Sequence, residues 1–393
     1  MAKRSAFCLI ACVSLLIVLG FVMLMSTGGF SQESANDEWA GLKRQAVWLV
    51  LGIVGCTAMA LTDYHRLQRW AWPVFWCCVV LLALCFVPGI GHSRGGASRW
   101  INIGGFKGQP SELARIGVLI ALAAWCARYR DRRTSFLWGF LFPLGVMGLP
   151  LGLIAAEVDL GTACLLFIVI CAVLFVGGAR WIYVAGMAAL GAAVLWVGIH
   201  TGESRTAKNR EARITAFLHL EDEQFARDYP EIAELNDQQK QGIFALGSGG
   251  PAGKGLGDGV QKQHYLPLCH TDFIFPVIGE ELGLAATLGT VLLILGIAFS
   301  GFLVAGHAPD RFGKLLGTGL VLLIVVQALI NISVATGCLP NKGMPLPFVS
   351  YGGSNLCCNL LSIGILLNIY RQGRPVVLVR DPVLGRPKLT PAV

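Results

Sequence analysis

The sequence predicts an all-α integral membrane protein of ten transmembrane helices, with one large extracytoplasmic loop, 200–272, between helices seven and eight. Three observations lead there. Of 393 residues, 55% are hydrophobic and only 14% charged, with a mean hydropathy of +0.65, whereas a soluble domain carries about 25% charged residues. The apolar residues fall in long blocks, and about 20 in a row span a bilayer. The two-residue alternation of a membrane barrel is absent, which leaves helices, the only single segments that satisfy their own backbone in lipid.

Each element follows from this pattern. The apolar blocks cover 6–27, 45–62, 70–87, 111–127, 136–155, 160–179, 181–199, 273–305, 315–338 and 354–370. The first resembles a signal peptide, with Lys3 and Arg4 ahead of it. Its apolar run, about 20 residues, exceeds the usual 7–15 of a signal core, so it counts as a helix. Residues 1–372 form one polytopic unit, and 373–393 a short cytoplasmic tail. The 13 cysteines lie inside apolar stretches or as neighbours, such as Cys77-Cys78 and Cys357-Cys358. With no CxxC spacing they read as small buried hydrophobes rather than a disulfide or zinc framework.

Orientation comes from Lys and Arg. With both termini in the cytoplasm, sixteen basic residues fall in cytoplasmic segments and six in short outer loops, a positive-inside bias. The eight basic residues of the 200–272 loop do not count against it, because long loops translocate largely regardless of charge. The net charge of +8 therefore has a topological explanation and no nucleic-acid partner is expected. In the long loop, Phe217, Leu218, Phe225, Tyr229, Ile232 and Leu235 are spaced among charges as in short amphipathic helices.

Unusual chemistry gathers in the outer segments. The first carries Arg99 and Trp100, readable as an aromatic-belt pair at the interface. It continues to Gln109, Pro110, Ser111 and Glu112, which open a helix and place an acid at its positive end; plain capping explains them as well as function does. Asp159 starts the sixth span. In the second segment, Gly253-Lys254 evokes a phosphate loop, but Ser248 stands at the first glycine position and Gly255 where Ser or Thr should hold magnesium. What remains reads as a flexible Gly-rich stretch. It leads to His270-Thr271-Asp272 at the mouth of the eighth span, with Glu280 and Glu281 inside it. Ionisable groups at membrane depth point to function. The plainer readings are a helix N-cap for Asp272 and internal pairing with Lys or Arg for the two glutamates. The third segment, 339–355, holds three prolines and cannot be regular helix throughout; such backbone is tolerated only against protein or a watery cavity.

Together, SRWINIGGFKGQPSE, VDLGT, the GKGLGDGVQKQHYLP stretch, HTDFIF, IGEELG and LPNKGMPLPFVSYGGSN resemble the signature loops of the SEDS family, the FtsW/RodA/SpoVE membrane proteins. The resemblance runs from the first span to the tenth, and Lys342 in the last loop is similar to the division (FtsW) type within the family. It implies a peptidoglycan glycosyltransferase that polymerises lipid II at the outer face of the bacterial cytoplasmic membrane, at the division septum, beside a class B penicillin-binding transpeptidase and other division proteins. It implies that Asp272 is the catalytic acid-base residue and that Arg99, Trp100, Gln109, Lys262, His270, Lys342 and Ser350 contact substrate, with Glu112, Asp159, Glu280 and Glu281 in support. This chain departs from the family at two places. Leu268 and Cys269 replace an acid-containing pair before the HTD motif, and Glu157-Val158 stand where Gln-Pro is usual.

Three functions stay open at this point: a polymerase, a flippase for the lipid-linked precursor, and a non-catalytic scaffold, besides an elongation-type (RodA) polymerase. No internal repeat is visible and the charged set lies on one face, unlike the midplane charges of transporters. A scaffold needs no acid and cations gathered on one side. No organic cofactor is expected. A divalent cation, Mg or Mn, is expected at the pyrophosphate, with no metal ligands assignable.

Overall fold

In the computed structural model, the described residues are 2–28, 39–88, 91–94, 97–103, 106–132, 134–200, 205–220, 222–263, 266, 268–373, 376–380 and 387–391. The chain begins with α1 (Ala2–Thr27), α2 (Ala40–Leu61), the short α3 (His65–Arg69) and α4 (Ala71–Leu84). A three-stranded antiparallel sheet follows, β1 (Gly91–Arg94), β2 (Ala97–Ile103) and β3 (Phe106–Gly108). Next come α5 (Pro110–Arg128), α6 (Phe142–Ala156), α7 (Leu160–Val176) and α8 (Trp181–His200). A π-helical turn at Leu137–Leu141 leads into α6.

The expected amphipathic helices of the long loop are α9 (Arg205–Leu218), α10 (Glu223–Asp228), α11 (Pro230–Ala233) and α12 (Asp237–Gly249). The last three long helices are α13 (Ile274–Gly306), α14 (Arg311–Ala335) and α15 (Gly353–Gln372), and the tail pairs β4 (Val376–Arg380) with β5 (Pro387–Pro391). Of the tail's basic residues, Arg374 and Arg386 lie outside the described residues.

Seven helices among the described residues are long and apolar enough to cross a membrane: α1, α2, α5, the 137–156 segment, α13, α14 and α15. The other three expected spans coincide with shorter apolar helices, α4, α7 and the 181–194 part of α8. Exposed side chains such as Phe7, Val54, Trp196 and Phe299 fit a surface that faces lipid rather than water. This is a multi-pass membrane protein.

Two buried cores share α14 and α15. One joins them to α4, α5, α6 and α7, the other to α1, α13 and the segment ahead of α13. Lipid offers no hydrophobic drive between helices, so close backbone approach at small residues does much of the packing. A Cβ on Gly364 of α15 would lie 2.3 Å from the Cys56 carbonyl oxygen of α2. Polar side chains add to the grip: Gln45 of α2 accepts from the Gly352 amide, and Asn355 of α15 donates to Glu112 of α5 at 3.1 Å.

The eighth span departs from expectation. At Gly283 the backbone turns to φ 75° and ψ −170°, breaking α13 in two. The break frees carbonyls and an amide that lipid could not satisfy, and the Gly-rich stretch before α13 supplies the partners. The amides of Lys254 and Gly255 donate to the carbonyls of Glu280 and Glu281 at 2.9 and 3.0 Å, and the Leu284 amide donates to the Gly250 carbonyl at 3.0 Å. Glycine is required there: a Cβ on Gly253, itself at φ 79°, would meet the Glu281 carbonyl oxygen at 2.3 Å. The stretch read as flexible is a packed clasp.

Acids complete it. Glu280 pairs with Lys254 at 2.8 Å and accepts from the Val260 and Gln261 amides. Glu281 pairs with Lys262 at 2.6 Å and accepts from the Ser26 hydroxyl and the Gly257 amide. Both glutamates are fully buried, and both are satisfied as internal partners.

Candidate active site

Four loop regions meet around one cavity of about 270 Å³: β2 through the start of α5, the 157–162 turn, the 268–272 segment and the 343–355 loop. The local sequence explains each. β2 pairs with β1 so that Trp100 lies opposite His92, and with β3 so that Asn102 lies opposite Lys107; this fixes Arg99 and Trp100 at the cavity wall. Pro110 opens α5 at its first position, where its missing N–H costs nothing. Asp159 caps α7, accepting from the Thr162 amide at 3.2 Å and hydroxyl at 2.9 Å. Gln109 donates to Asp159 at 3.1 Å, joining the start of α5 to the start of α7.

Asp272 lies at the cavity, half-buried, one residue before the Phe273 that caps α13. Its side chain does not cap the helix, which answers the N-cap alternative. Its backbone carbonyl accepts from Asn331 Nδ2 at 2.8 Å, and the same amide donates to the Met344 carbonyl at 2.6 Å. The backbone of Gly343 abuts the carboxylate so closely that a Cβ there would sit 2.7 Å from Oδ2. Burial pushes the Asp272 carboxyl up to about 7, against the pull of Arg99 and with a further push from Asp159.

Arg99 straps the 157–162 turn, donating to the Val158 carbonyl at 2.6 Å and to the Glu157 carbonyl at 3.4 Å. Val158 at φ 66°, Leu268 at φ 58° and Phe348 at φ 66° are the non-glycine residues with positive φ among those described. Such conformations persist only where the surroundings over-determine them, and here each belongs to a loop of this site.

Of the residues proposed from sequence, the cavity brings together Asp272, Arg99, Trp100, Gln109, Asp159 and Glu112. Besides Glu280 and Glu281 in the clasp, four others sit elsewhere. Ser350 donates to the Thr271 carbonyl at 2.5 Å and accepts from the Leu346 amide at 2.8 Å, so it ties the last loop to the HTD segment. His270 offers its carbonyl to the Tyr351 amide at 2.9 Å and is not among the lining residues. Lys342 runs its stem past the start of α7, within 3.7 Å of a Cβ position at Gly161. Lys262, 2% exposed, is buried in the clasp.

Sequence reasoning missed a buried polar chain in the cavity wall. Arg115 donates to Gln327 at 2.8 Å and lies 3.7 Å from Glu112, Gln327 donates to the Pro345 carbonyl at 2.8 Å, and Asn355 donates to Glu112 at 3.1 Å. The signal was present as polar residues three or four apart within apolar spans, the period of one helix face.

The donor set does not build a resident metal centre: no group of three or more His, Cys, Asp or Glu side chains with metal-holding geometry occurs among the described residues. What the cavity offers is an acid held near neutral pKa, two fixed cations, Arg99 and Arg115, and amide donors, all in one space.

Comparison with known proteins agrees with this picture. The cell cycle protein family model FTSW_RODA_SPOVE matches residues 6–374. A probable peptidoglycan glycosyltransferase FtsW of Geobacter sp. (strain M18) is 36% identical over 361 residues, 92% of this chain and 95% of that protein. Stage V sporulation protein E of Bacillus subtilis (strain 168) is 33% identical over 376 residues, 95% and 99% of the two chains. A chain of a solved peptidoglycan synthase complex that coordinates polymerization and crosslinking superposes with a TM-score of 0.75 at 26% identity, covering 93% of this chain and 97% of that one. The rod shape determining protein RodA of Thermus thermophilus gives 0.66 at 26% identity, covering 92% and 95%. With the family's loops converging on one cavity and the match running nearly end to end, the chain belongs to the FtsW/RodA/SpoVE family.

Proposed function

We propose that this protein is a peptidoglycan glycosyltransferase that polymerises lipid II at the outer face of the cytoplasmic membrane, in septal wall synthesis. The observation that supports it most is Asp272 beside Arg99 in one cavity, an acid near neutral pKa against a fixed positive charge. A lipid pyrophosphate leaves readily once its charge is neutralised, so the paired carboxylates of glycoside hydrolases are not needed. The reaction needs one base for the attacking hydroxyl and positive charge at the leaving group.

Asp272 takes the proton from the acceptor sugar hydroxyl as that oxygen attacks the anomeric carbon of the growing chain. The bond to the pyrophosphate breaks, undecaprenyl pyrophosphate departs, and the anomeric configuration inverts. Arg99 stabilises the charge that develops on the leaving group. A divalent cation would be held by the pyrophosphate oxygens and water rather than by a cage of this chain's side chains, and would add positive charge at the leaving group. A flippase would require charges at the midplane between repeats, whereas the buried pairs here hold loops in place.

The test is glycan formation from lipid II by purified protein, alone and with a class B transpeptidase as the partner. Product longer than the disaccharide is expected, and its absence in both conditions would return the scaffold reading. In cells we propose ten crossings with both termini cytoplasmic and a division role, the latter from Lys342 and the FtsW relatives. A reporter after Glu211 then faces outward, one after Arg132 faces inward, and depletion gives filaments. An inward loop sinks the topology; rounded cells that still septate move the role to elongation.

A further inference from the structure

Glu157 ends the helix before the 157–162 turn and is 1% exposed. Among the described residues no nitrogen or oxygen donor reaches its carboxyl oxygens, and the Cys85 thiol, a weak donor, is the hydrogen-bonding group beside them. Buried carboxyls are ordinarily ion-paired or bonded by strong donors, so one left with only a thiol demands a reason. Its surroundings supply one. Arg99 grips the backbone carbonyls of Glu157 and Val158 while also lining the cavity with Asp272. The backbone at Val158 is held in a left-handed conformation that a β-branched residue avoids. The charged and titratable groups acting on the Glu157 carboxyl are Arg99 from β2, Asp159 from the same turn and the Cys85 thiol at the end of α4.

On the polymerase reading, we infer that Glu157 is a positioning residue whose buried, protonated carboxyl leaves the Arg99 charge free to act on the lipid pyrophosphate, and whose ionisation withdraws it. A neutral Glu157 lets Arg99 hold the turn through backbone carbonyls alone, so its positive charge is spent on the cavity. An ionised Glu157 places a negative charge behind the guanidinium, beside Asp159, and offsets the field that the pyrophosphate and Asp272 feel. Burial pushes the Glu157 carboxyl up to about 8; the Cys85 thiol and Arg99 oppose the rise and Asp159 adds to it. The switch therefore works on the alkaline side of neutrality.

Lipid II suits the test because its pyrophosphate is a diester with no proton to lose in this range. Its affinity for the intact wild-type protein in detergent is measured at about pH 7 and about pH 9.5. The expected result is about a tenfold weakening at the higher pH, the equivalent of one pKa unit of coupling. Glu157→Gln, uncharged at both values, removes most of the weakening and leaves only the share that Asp272 adds as its own ionisation, centred near 7, completes. A wild-type affinity that stays level overturns the inference without any variant, and so does an equal weakening in Glu157→Gln.

Stability gives the control. A raised folded pKa means that stabilisation is complete below about pH 4 and lost as pH rises through about 8, so Glu157→Gln flattens the pH dependence of thermal unfolding in either case. A merely space-filling Glu157 changes that curve alone and leaves the lipid II affinity ratio unmoved. Polymer formation is scored separately: binding that weakens as expected in a protein making no glycan overturns the polymerase reading and not the switch.

Discussion

Asp272→Asn should reduce glycan polymerisation by purified protein by about 10²–10⁴, the usual cost of losing a general base, with the fold intact. The substitution preserves size, and the two contacts that place this residue, the Asn331 bond to its carbonyl and the close passage of Gly343, do not depend on charge. The wild-type rate should fall about tenfold per pH unit below the apparent pKa near 7, because only the ionised carboxylate accepts the proton. The stability sign runs the other way. Burial raises the folded pKa, so this residue's contribution is complete below about pH 4 and disappears as the pH rises through about 7. Above that, Asp272→Asn should unfold at a temperature no lower than wild type. Near-normal polymerisation by a folded Asp272→Asn protein would rule out the mechanism; lost activity with lost folding would be visible as a lowered unfolding temperature.

The spans and the catalytic candidate were legible in the sequence for different reasons. A bilayer imposes length on each apolar run, so helix existence follows from counting, and Asp272 stands at the mouth of a span where an acid is conspicuous. The sheet at 91–108 was visible only in its punctuation, the Gly95-Gly96 and Gly104-Gly105 dipeptides one strand-length apart, which signal hairpin turns. Strands of four, seven and three residues are too short for alternation to stand out.

The clasp was illegible because its logic is non-local. Gly283 in an apolar helix reads as a tolerated glycine, and nothing nearby shows that backbone amides some 30 residues earlier satisfy the broken turn. The polar chain in the cavity wall has a related cause. Arg115, Gln327 and Asn355 stand on three different helices, and single polar residues in apolar runs show their meaning only when the faces are brought together. Glu112 was read from its position in the first turn; Arg115 is its neighbour three residues on in the same helix, whereas its bond from Asn355 depends on packing of α5 against α15.

Lys262 shows what separates a loop cation that binds substrate from one that builds the site. Its sequence context, a glycine-rich outer loop beside the catalytic motif, suits an anion contact. Its structural context is Glu281 at 2.6 Å, Ser26 at 2.7 Å and almost no exposure. The two positions make opposite predictions for Lys262→Met. Removing one partner of a buried ion pair leaves an uncompensated charge and costs about 3–5 kcal/mol, so the variant should show a much lower unfolding temperature in detergent. Activity would then fall through loss of folded protein, because the clasp anchors the half of α13 that follows Asp272. Adding Glu281→Gln removes the stranded charge while keeping one oxygen, at the Oε2 position, to accept from both Ser26 and the Gly257 amide, and should restore more than half of the lost stability. An exposed substrate contact would behave otherwise: stability unchanged in Lys262→Met, lipid II KM raised, and no rescue by the second substitution. That outcome would place Lys262 at the pyrophosphate and leave the break at Gly283 to be held by the backbone bonds of Lys254, Gly255 and Gly250 alone.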